Sequence, residues 1–200
     1  MLKYKIVLAG AKDVGKSSLI ARFCDDVFHE RTMETIGVAF KRKRIDLGTE
    51  SNRLSLDVNI WDMGGEEKYK SLLPQYIKGA TAALILYDTT NKETIDDVNS
   101  WVEIVNDYAS EDIIKVLIGT KIDLKDKREI TKTEAEKYCS KQNWCAEIIE
   151  TSAKTGENVE DAFLNVANEI VKRKLQKCTG CGDYFSIKLK ICNYCGQSVS

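Results

Sequence analysis

Apolar residues along the chain follow two alternating periods. Residues 5–9, Lys-Ile-Val-Leu-Ala, form a short run that stops at Gly10, as a buried parallel strand does. From 16 to 23 the spacing becomes helical. Residues 38–47 and 54–61 alternate apolar and polar positions on either side of Gly48-Thr49-Glu50-Ser51-Asn52, which predicts a hairpin. Buried-strand runs return at 82–87 and 115–118, and between them Ile95, Val98, Trp101, Val102 and Val105 share one helical face. A helix over 133–142 and a short strand over 147–150 are expected next. The last helix carries Val159, Ala162, Phe163, Val166, Ala167, Ile170 and Val171, three and four apart. Strands separated by helices predict an α/β fold: a mostly parallel, six-stranded sheet flanked by helices, with one antiparallel edge strand from the hairpin. Composition shifts near Lys172-Arg173-Lys174, which divides the chain into a body over 1–172, a basic linker over 173–177 and a cysteine-rich tail over 178–200.

Composition narrows the class. With 200 residues, 43% hydrophobic and 30% charged, the chain can bury one sizeable core. Its net charge of -1 makes no whole-chain case for nucleic acid or for an anionic membrane. Nucleic acid is therefore not expected as a partner. The longest apolar run, 82–87, is too short to span a bilayer, and Met1-Leu2-Lys3-Tyr4 runs straight into strand sequence with no signal-peptide pattern. Cys24, Cys139 and Cys145 are scattered through the body and are expected as small buried hydrophobes, consistent with reduced cytosol.

Candidate chemistry begins at Gly10-Ala11-Lys12-Asp13-Val14-Gly15-Lys16-Ser17, which matches G-x-x-x-x-G-K-[S/T] after a strand and at a helix start. Such a loop curls its N–H groups onto phosphate oxygens at the positive end of the helix. Lys16 would add charge at the β- and γ-phosphates, and the Ser17 hydroxyl would ligate Mg²⁺. The nucleotide-binding candidates here are Asp13, Val14, Gly15, Lys16, Ser17 and Ser18. Thr120-Lys121-Ile122-Asp123 follows a strand, so Asp123 could accept hydrogen bonds from guanine N1–H and the 2-amino group. Adenine would leave that carboxylate unpaired. Lys121 could lay its stem over the base. In Thr151-Ser152-Ala153-Lys154 the Ala153 N–H would meet the guanine 6-oxo group, although the same residues also suit a Ser/Thr turn. Trp61-Asp62-Met63-Gly64-Gly65 contains D-x-x-G. There Asp62 would hold Mg²⁺ through water, and Gly65 would bring its N–H to the γ-phosphate. Thr35 could reach the metal, and loss of the γ-phosphate would release both loops.

On these motifs the chain resembles a Ras-superfamily small GTPase, with a P-loop GTPase fold. It is most similar to the Rab branch through Thr35-Ile36-Gly37-Val38-Ala39-Phe40 and Asn59-Ile60-Trp61-Asp62. The resemblance implies binding of GTP and GDP with Mg²⁺, hydrolysis of GTP, and effector, exchange and activating proteins. It also implies that Phe28 packs against the guanine, that Thr35 lies in the first switch and that Glu66 lies in the second. Lys16, Thr35, Gly65 and Glu66 are the catalytic candidates.

Three features depart from the family pattern. Lys12 and Asp13 stand where small residues are usual. Gly64-Gly65-Glu66 replaces Ala-Gly-Gln, so a carboxylate stands in for the water-orienting amide; hydrolysis is expected to be slow without an activating partner. The hairpin is slightly long, and Lys41-Arg42-Lys43-Arg44 on its first strand reads as a guarded edge.

In the tail, Cys178-Thr179-Gly180-Cys181-Gly182 and Cys192-Asn193-Tyr194-Cys195-Gly196 are two C-x-x-C-G knuckles. Cys178, Cys181, Cys192 and Cys195 are the donor set of a closed structural Zn²⁺ site, a zinc ribbon. Tyr184, Phe185, Ile187, Leu189 and Ile191 are expected to form a small hairpin between the knuckles. The end, Gly196-Gln197-Ser198-Val199-Ser200, is not a prenylation signal. The ribbon is expected to dock a protein, with nucleic-acid contact as the alternative, and the chain is expected to be cytoplasmic.

Overall fold

A computed structural model describes residues 2–30, 35, 37–48, 54–65 and 72–198. Its body is one six-stranded sheet in the order β2-β3-β1-β4-β5-β6. The strands are β1 (Leu2–Ala9), β2 (Val38–Asp46), β3 (Ser55–Met63), β4 (Ala82–Asp88), β5 (Ile114–Thr120) and β6 (Ile148–Glu150). All neighbours pair in parallel except β2, which runs antiparallel to β3. Parallel strands need coverage on both faces, and the sequence of β4 shows it, since all seven residues are buried.

Helices α1 (Lys16–Asp25) and α6 (Val159–Lys174) cover one face, and Phe23 stacks on Phe163 with ring centroids 3.8 Å apart. On the other face lie α2 (Leu73–Ile77), α4 (Val98–Tyr108) and α5 (Lys132–Cys139). The stretch expected as one helix over 95–105 is divided into α3 (Glu93–Asp96) and α4. Asp97 separates them and accepts from Trp101 Nε1–H at 2.8 Å. The start of α5 is set by a reciprocal cap between Thr131 and Glu134. Edge strand β2 is guarded as expected. Lys41 pairs with Asp25, and Arg42 and Arg44 pair with the buried Asp57 of β3.

The cysteines of the body need a correction. Cys139 and Cys145 are not separate buried thiols; they form a disulfide. Helix α5 ends at Cys139 and the following turn doubles back, so the two Cα atoms lie 5.3 Å apart, within bridging range. The scattered-cysteine argument for reduced cytosol therefore loses its footing. Cys24 is free and half-buried. No helix among the described residues is long and apolar enough to cross a membrane.

The tail also differs from expectation. Residues 173–177 do not form a loose linker; they are the end of α6 and strand β7 (Leu175–Lys177), which follows without a break. Strand β8 (Tyr184–Ser186) pairs antiparallel with β7, so the small sheet wraps the first knuckle instead of filling the space between the two. Leu175 is part of the body's core, Tyr184 packs against that core, and Lys174 is bonded to Asp112 at the foot of β5. The ribbon is thus seated on the body. Inside it only Phe185 joins Cys178 and Cys192 in a buried cluster, while Ile187, Leu189 and Ile191 are exposed.

Candidate functional site

The C-terminal ends of the parallel strands open on a cavity of about 400 Å³. Its floor is the loop between β1 and α1. Two backbone conditions shape that loop. Gly15 takes φ +92° immediately before the helix, a conformation open to glycine. Gly10 backs so closely onto β4 that a Cβ would lie 2.6 Å from the Leu86 carbonyl oxygen. Asp13 holds a left-handed φ of 63° at the exposed rim. Lys16 is buried, and its ammonium donates to the Gly10 and Ala11 carbonyls, each at 2.7 Å. Burial lowers its pKa to about 8, against the opposing influence of Asp62 and Asp13. Among the described residues two carbonyls hold this buried cation, an arrangement that an anionic ligand would complete.

Beside Lys16 lies the metal candidate set. Ser17 Oγ and Thr35 Oγ1 are 2.8 Å apart, and the Thr35 hydroxyl donates to Asp62 Oδ2 at 3.2 Å. Burial raises the Asp62 pKa, with Ser17, Lys16 and Thr35 opposing it. Its second oxygen, Oδ1, is buried with no hydrogen-bond partner among the described residues. An orphaned carboxylate oxygen between two hydroxyls fits a hard, oxygen-seeking divalent cation such as Mg²⁺. Gly65 approaches the phosphate loop so closely that a Cβ would fall 2.5 Å from Ala11 C and Lys12 N. Only a glycine fits there.

The opposite wall comes from β5 and β6. Thr120 Oγ1 lies 2.7 Å from the Val14 carbonyl oxygen and 2.9 Å from that of Tyr87. Lys121 pairs with the buried Asp88 at 2.6 Å, and the Ser152 hydroxyl donates to Asp123 Oδ1 at 2.6 Å. Asp13, Gly15, Lys16, Ser17, Ser18, Phe28, Thr35, Gly65, Thr120, Lys121, Asp123, Ala153 and Lys154 all line the one cavity. Val14 and Ser152 stand behind the wall: Val14 is buried in the core, and Ser152 orients Asp123. Glu66 lies outside the described residues.

Two features had escaped the sequence reading. Arg22 of α1 donates from Nε to the Ala153 carbonyl at 2.8 Å and from Nη2 to that of Lys154 at 3.0 Å. Only the cationic spacing on α1 could have hinted at this clamp. The second is an aromatic chain between the two candidate switch segments. Phe40, half exposed on β2, meets Trp61 of β3 at 5.2 Å, and Trp61 meets Tyr76 of α2 at 5.6 Å.

The profile of the Ras family matches residues 5–172. The chain belongs to that family. Ras-related protein Rab-12 of Homo sapiens is 38% identical over 171 residues, covering 86% of this chain and 68% of that protein. GTP-binding protein ypt4 of Schizosaccharomyces pombe is 36% identical over 169 residues, covering 84% and 72%. Ras-related protein Rab-8B of Homo sapiens is 33% identical over 174 residues, covering 87% and 81%. The chain is a Rab-like small GTPase, and the family match stops before the ribbon.

In this GTPase Thr120 joins the base-side wall to the phosphate floor, so its hydroxyl is a structural test of the site. Thr120→Val keeps the shape and strands two buried carbonyls. It should lower unfolding stability by about 1–3 kcal/mol in urea titration, whereas the same change at the exposed Thr155 should cost far less.

Proposed function

We propose that the cavity binds GTP and GDP with Mg²⁺ and hydrolyses GTP, with each candidate residue in the role its position supports. The observation that carries this is the convergence of Lys16, Ser17, Thr35 and Asp123 on one cavity, beside an Asp62 oxygen that lacks a hydrogen-bond partner among the described residues. The loop N–H groups and Lys16 would bind the β- and γ-phosphates. Asp123, held by Ser152, would read the guanine edge, with Ala153 at the 6-oxo group and Lys121 and Phe28 against the ring. Ser17 and Thr35, with Asp62 through water, would hold Mg²⁺, which when bound offsets charge on the phosphates. Thr35 and Gly65 would contact the γ-phosphate side and let go when it leaves. The Phe40, Trp61 and Tyr76 chain, lying between them, would then present different surfaces to effectors in the two states.

A nucleotide titration tests the assignment. With Mg²⁺ present, GTP and GDP should bind at submicromolar levels and ATP at least about a hundredfold more weakly. Asp123→Ala should erase most of that preference, because the discriminating acceptor is gone. Equal binding of ATP and GTP by the parent would overturn the reading.

Glu66 replaces an amide with a carboxylate, which accepts from water but cannot donate to the developing phosphate charge. Single-turnover phosphate release should therefore be slow in the parent and change by about tenfold or more in Glu66→Gln. Equal rates would remove Glu66 from the mechanism.

For the ribbon we propose a Zn²⁺ ion held by Cys178, Cys181, Cys192 and Cys195. The four sulfurs lie within 4.8 Å of one another, as a tetrahedral thiolate site requires. Backbone N–H groups of Cys181 and Gly180 point at the Cys178 sulfur and hold its thiol down to about 6, against the cost of burial. Metal analysis should give one zinc per chain. Chelation should release it and expose four additional reactive thiols, with loss of the ribbon's structure.

A further inference from the structure

Arg22 lies near the end of α1 and takes no part in the roles assigned above. Its side chain is 20% exposed and that of its ion-pair partner Asp26 is 91% exposed, so the pair is largely solvated and contributes little. The backbone contacts matter more. Nε donates to the Ala153 carbonyl at 2.8 Å and Nη2 to that of Lys154 at 3.0 Å, while Nη1 donates to the Asp26 carbonyl at 3.0 Å. One guanidinium therefore joins backbone carbonyls of two segments far apart in the sequence.

Both segments belong to the cavity. Asp26 takes a left-handed φ of 54° where the chain turns off α1, and Phe28, two residues on, lines the cavity as Ala153 and Lys154 do. Among the described residues no other donor reaches the Ala153 or Lys154 carbonyl. The residue before Ala153 is held separately. Ser152 donates its hydroxyl to Asp123 and its N–H to the Glu157 carbonyl at 3.0 Å, and its own carbonyl accepts from Gly156 at 2.8 Å. The Ala153 N–H is thus fixed from one side by Ser152 and from the other by Arg22.

We infer that Arg22 is a positioning residue for recognition at the purine 6-position: its guanidinium holds in place the loop that presents the Ala153 N–H. The inference rests on the reading of the cavity proposed above, in which that N–H meets the guanine 6-oxo group, and adds what keeps the donor where it is. A backbone donor discriminates between acceptors only while it cannot shift to suit them. Lysine cannot replace Arg22, because an ammonium is a point charge on a flexible stem, whereas the planar fork of arginine reaches both segments at once. Helix α1 carries Lys16 and Ser17 in its first turn and Arg22 toward its end, so one helix fastens the phosphate floor and the base-side loop.

The test compares GDP, 6-thioguanosine diphosphate and inosine diphosphate on the full chain with Mg²⁺. The thio analogue alters only the atom that would face Ala153, since sulfur is a weaker acceptor and needs a longer contact. Inosine keeps the 6-oxo group and N1–H and lacks the 2-amino group that Asp123 would read. The parent should favour GDP over each analogue by about tenfold. In Arg22→Ala and Arg22→Lys the preference over the thio analogue should fall to about twofold or less, while the preference over inosine diphosphate stays. GDP itself should bind both variants more weakly than the parent.

If thermal melting shows that Arg22→Ala does not fold, Arg22→Lys, which keeps the charge and most of the stem, carries the measurement. Three results overturn the inference. One is an Arg22→Lys variant with the parent's thio preference, which would mean that charge alone suffices. Another is loss of both preferences together, which would make Arg22 a general support of the fold. The third is an Arg22→Ala variant whose thio preference is unchanged. In all three the parent still separates GDP from its analogues, so the reading of the cavity stands. A parent that separates none of them overturns that reading, and this inference with it, at the first measurement.

Discussion

The hydroxyl of Thr120 stands at the junction of two loops that come from distant parts of the chain. Its single proton serves two acceptors, the carbonyl of Val14 in the phosphate loop and that of Tyr87 at the end of β4. One buried hydroxyl therefore ties the loop that floors the cavity to the wall formed by β4 and β5. In a buried site such a bond contributes little while it is made and costs several times more when one partner is stranded. That asymmetry keeps the two walls in register. Lys16 and Asp123 then line one cavity, and under the function proposed above one ligand would meet both.

The same economy governs the charged groups. Lys16 and Asp62 are both buried, and each is disfavoured by its surroundings: burial lowers the pKa of the lysine and raises that of the carboxyl group. They moderate each other's cost without forming a close ion pair. The surviving imbalance, a cation on borrowed carbonyls and a carboxylate oxygen with no partner among the described residues, is what a bound anion and a divalent metal would relieve. Gly65 sits so near the β1–α1 loop that any side chain there would collide with the backbone of Ala11. Function here is stored as unmet valence in a rigid frame.

How much of this could be read from the sequence depends on how far each contact reaches along it. That Gly15, Lys16, Ser17, Thr120, Lys121 and Asp123 would meet at one cavity was legible because strand, loop and helix lie next to one another in the sequence. Arg22 was not legible, because its acceptors lie 131 and 132 residues away and nothing local marks them. The Phe40–Trp61 contact depends on the β2–β3 register, which places those two residues opposite each other; alternation alone leaves the register free. Cys139 and Cys145 escaped for a related reason. Their pairing depends on how sharply the chain turns after α5, and spacing cannot supply that. In the tail the knuckles were plain, but the strand pairing was not. β8 chose β7, continuous with the last helix, over a partner inside the loop.

That choice of partner decides what the ribbon can do. Pairing β7 with β8 anchors Leu175 and Tyr184 to the body and uses up the apolar residues nearest the helix. Cys178, Cys192 and Phe185 then fill the small interior, and Ile187, Leu189 and Ile191 stay outside it. A domain this small cannot bury every apolar residue it carries, and the backbone of two excluded residues is still tied to the anchor: Ile187 N–H donates to the Lys174 carbonyl, and Gln176 donates to that of Leu189. A parallel sheet places its loops of opposite kind at opposite ends, so the anchored tail meets the end where the strands begin and the cavity opens at the end where they finish.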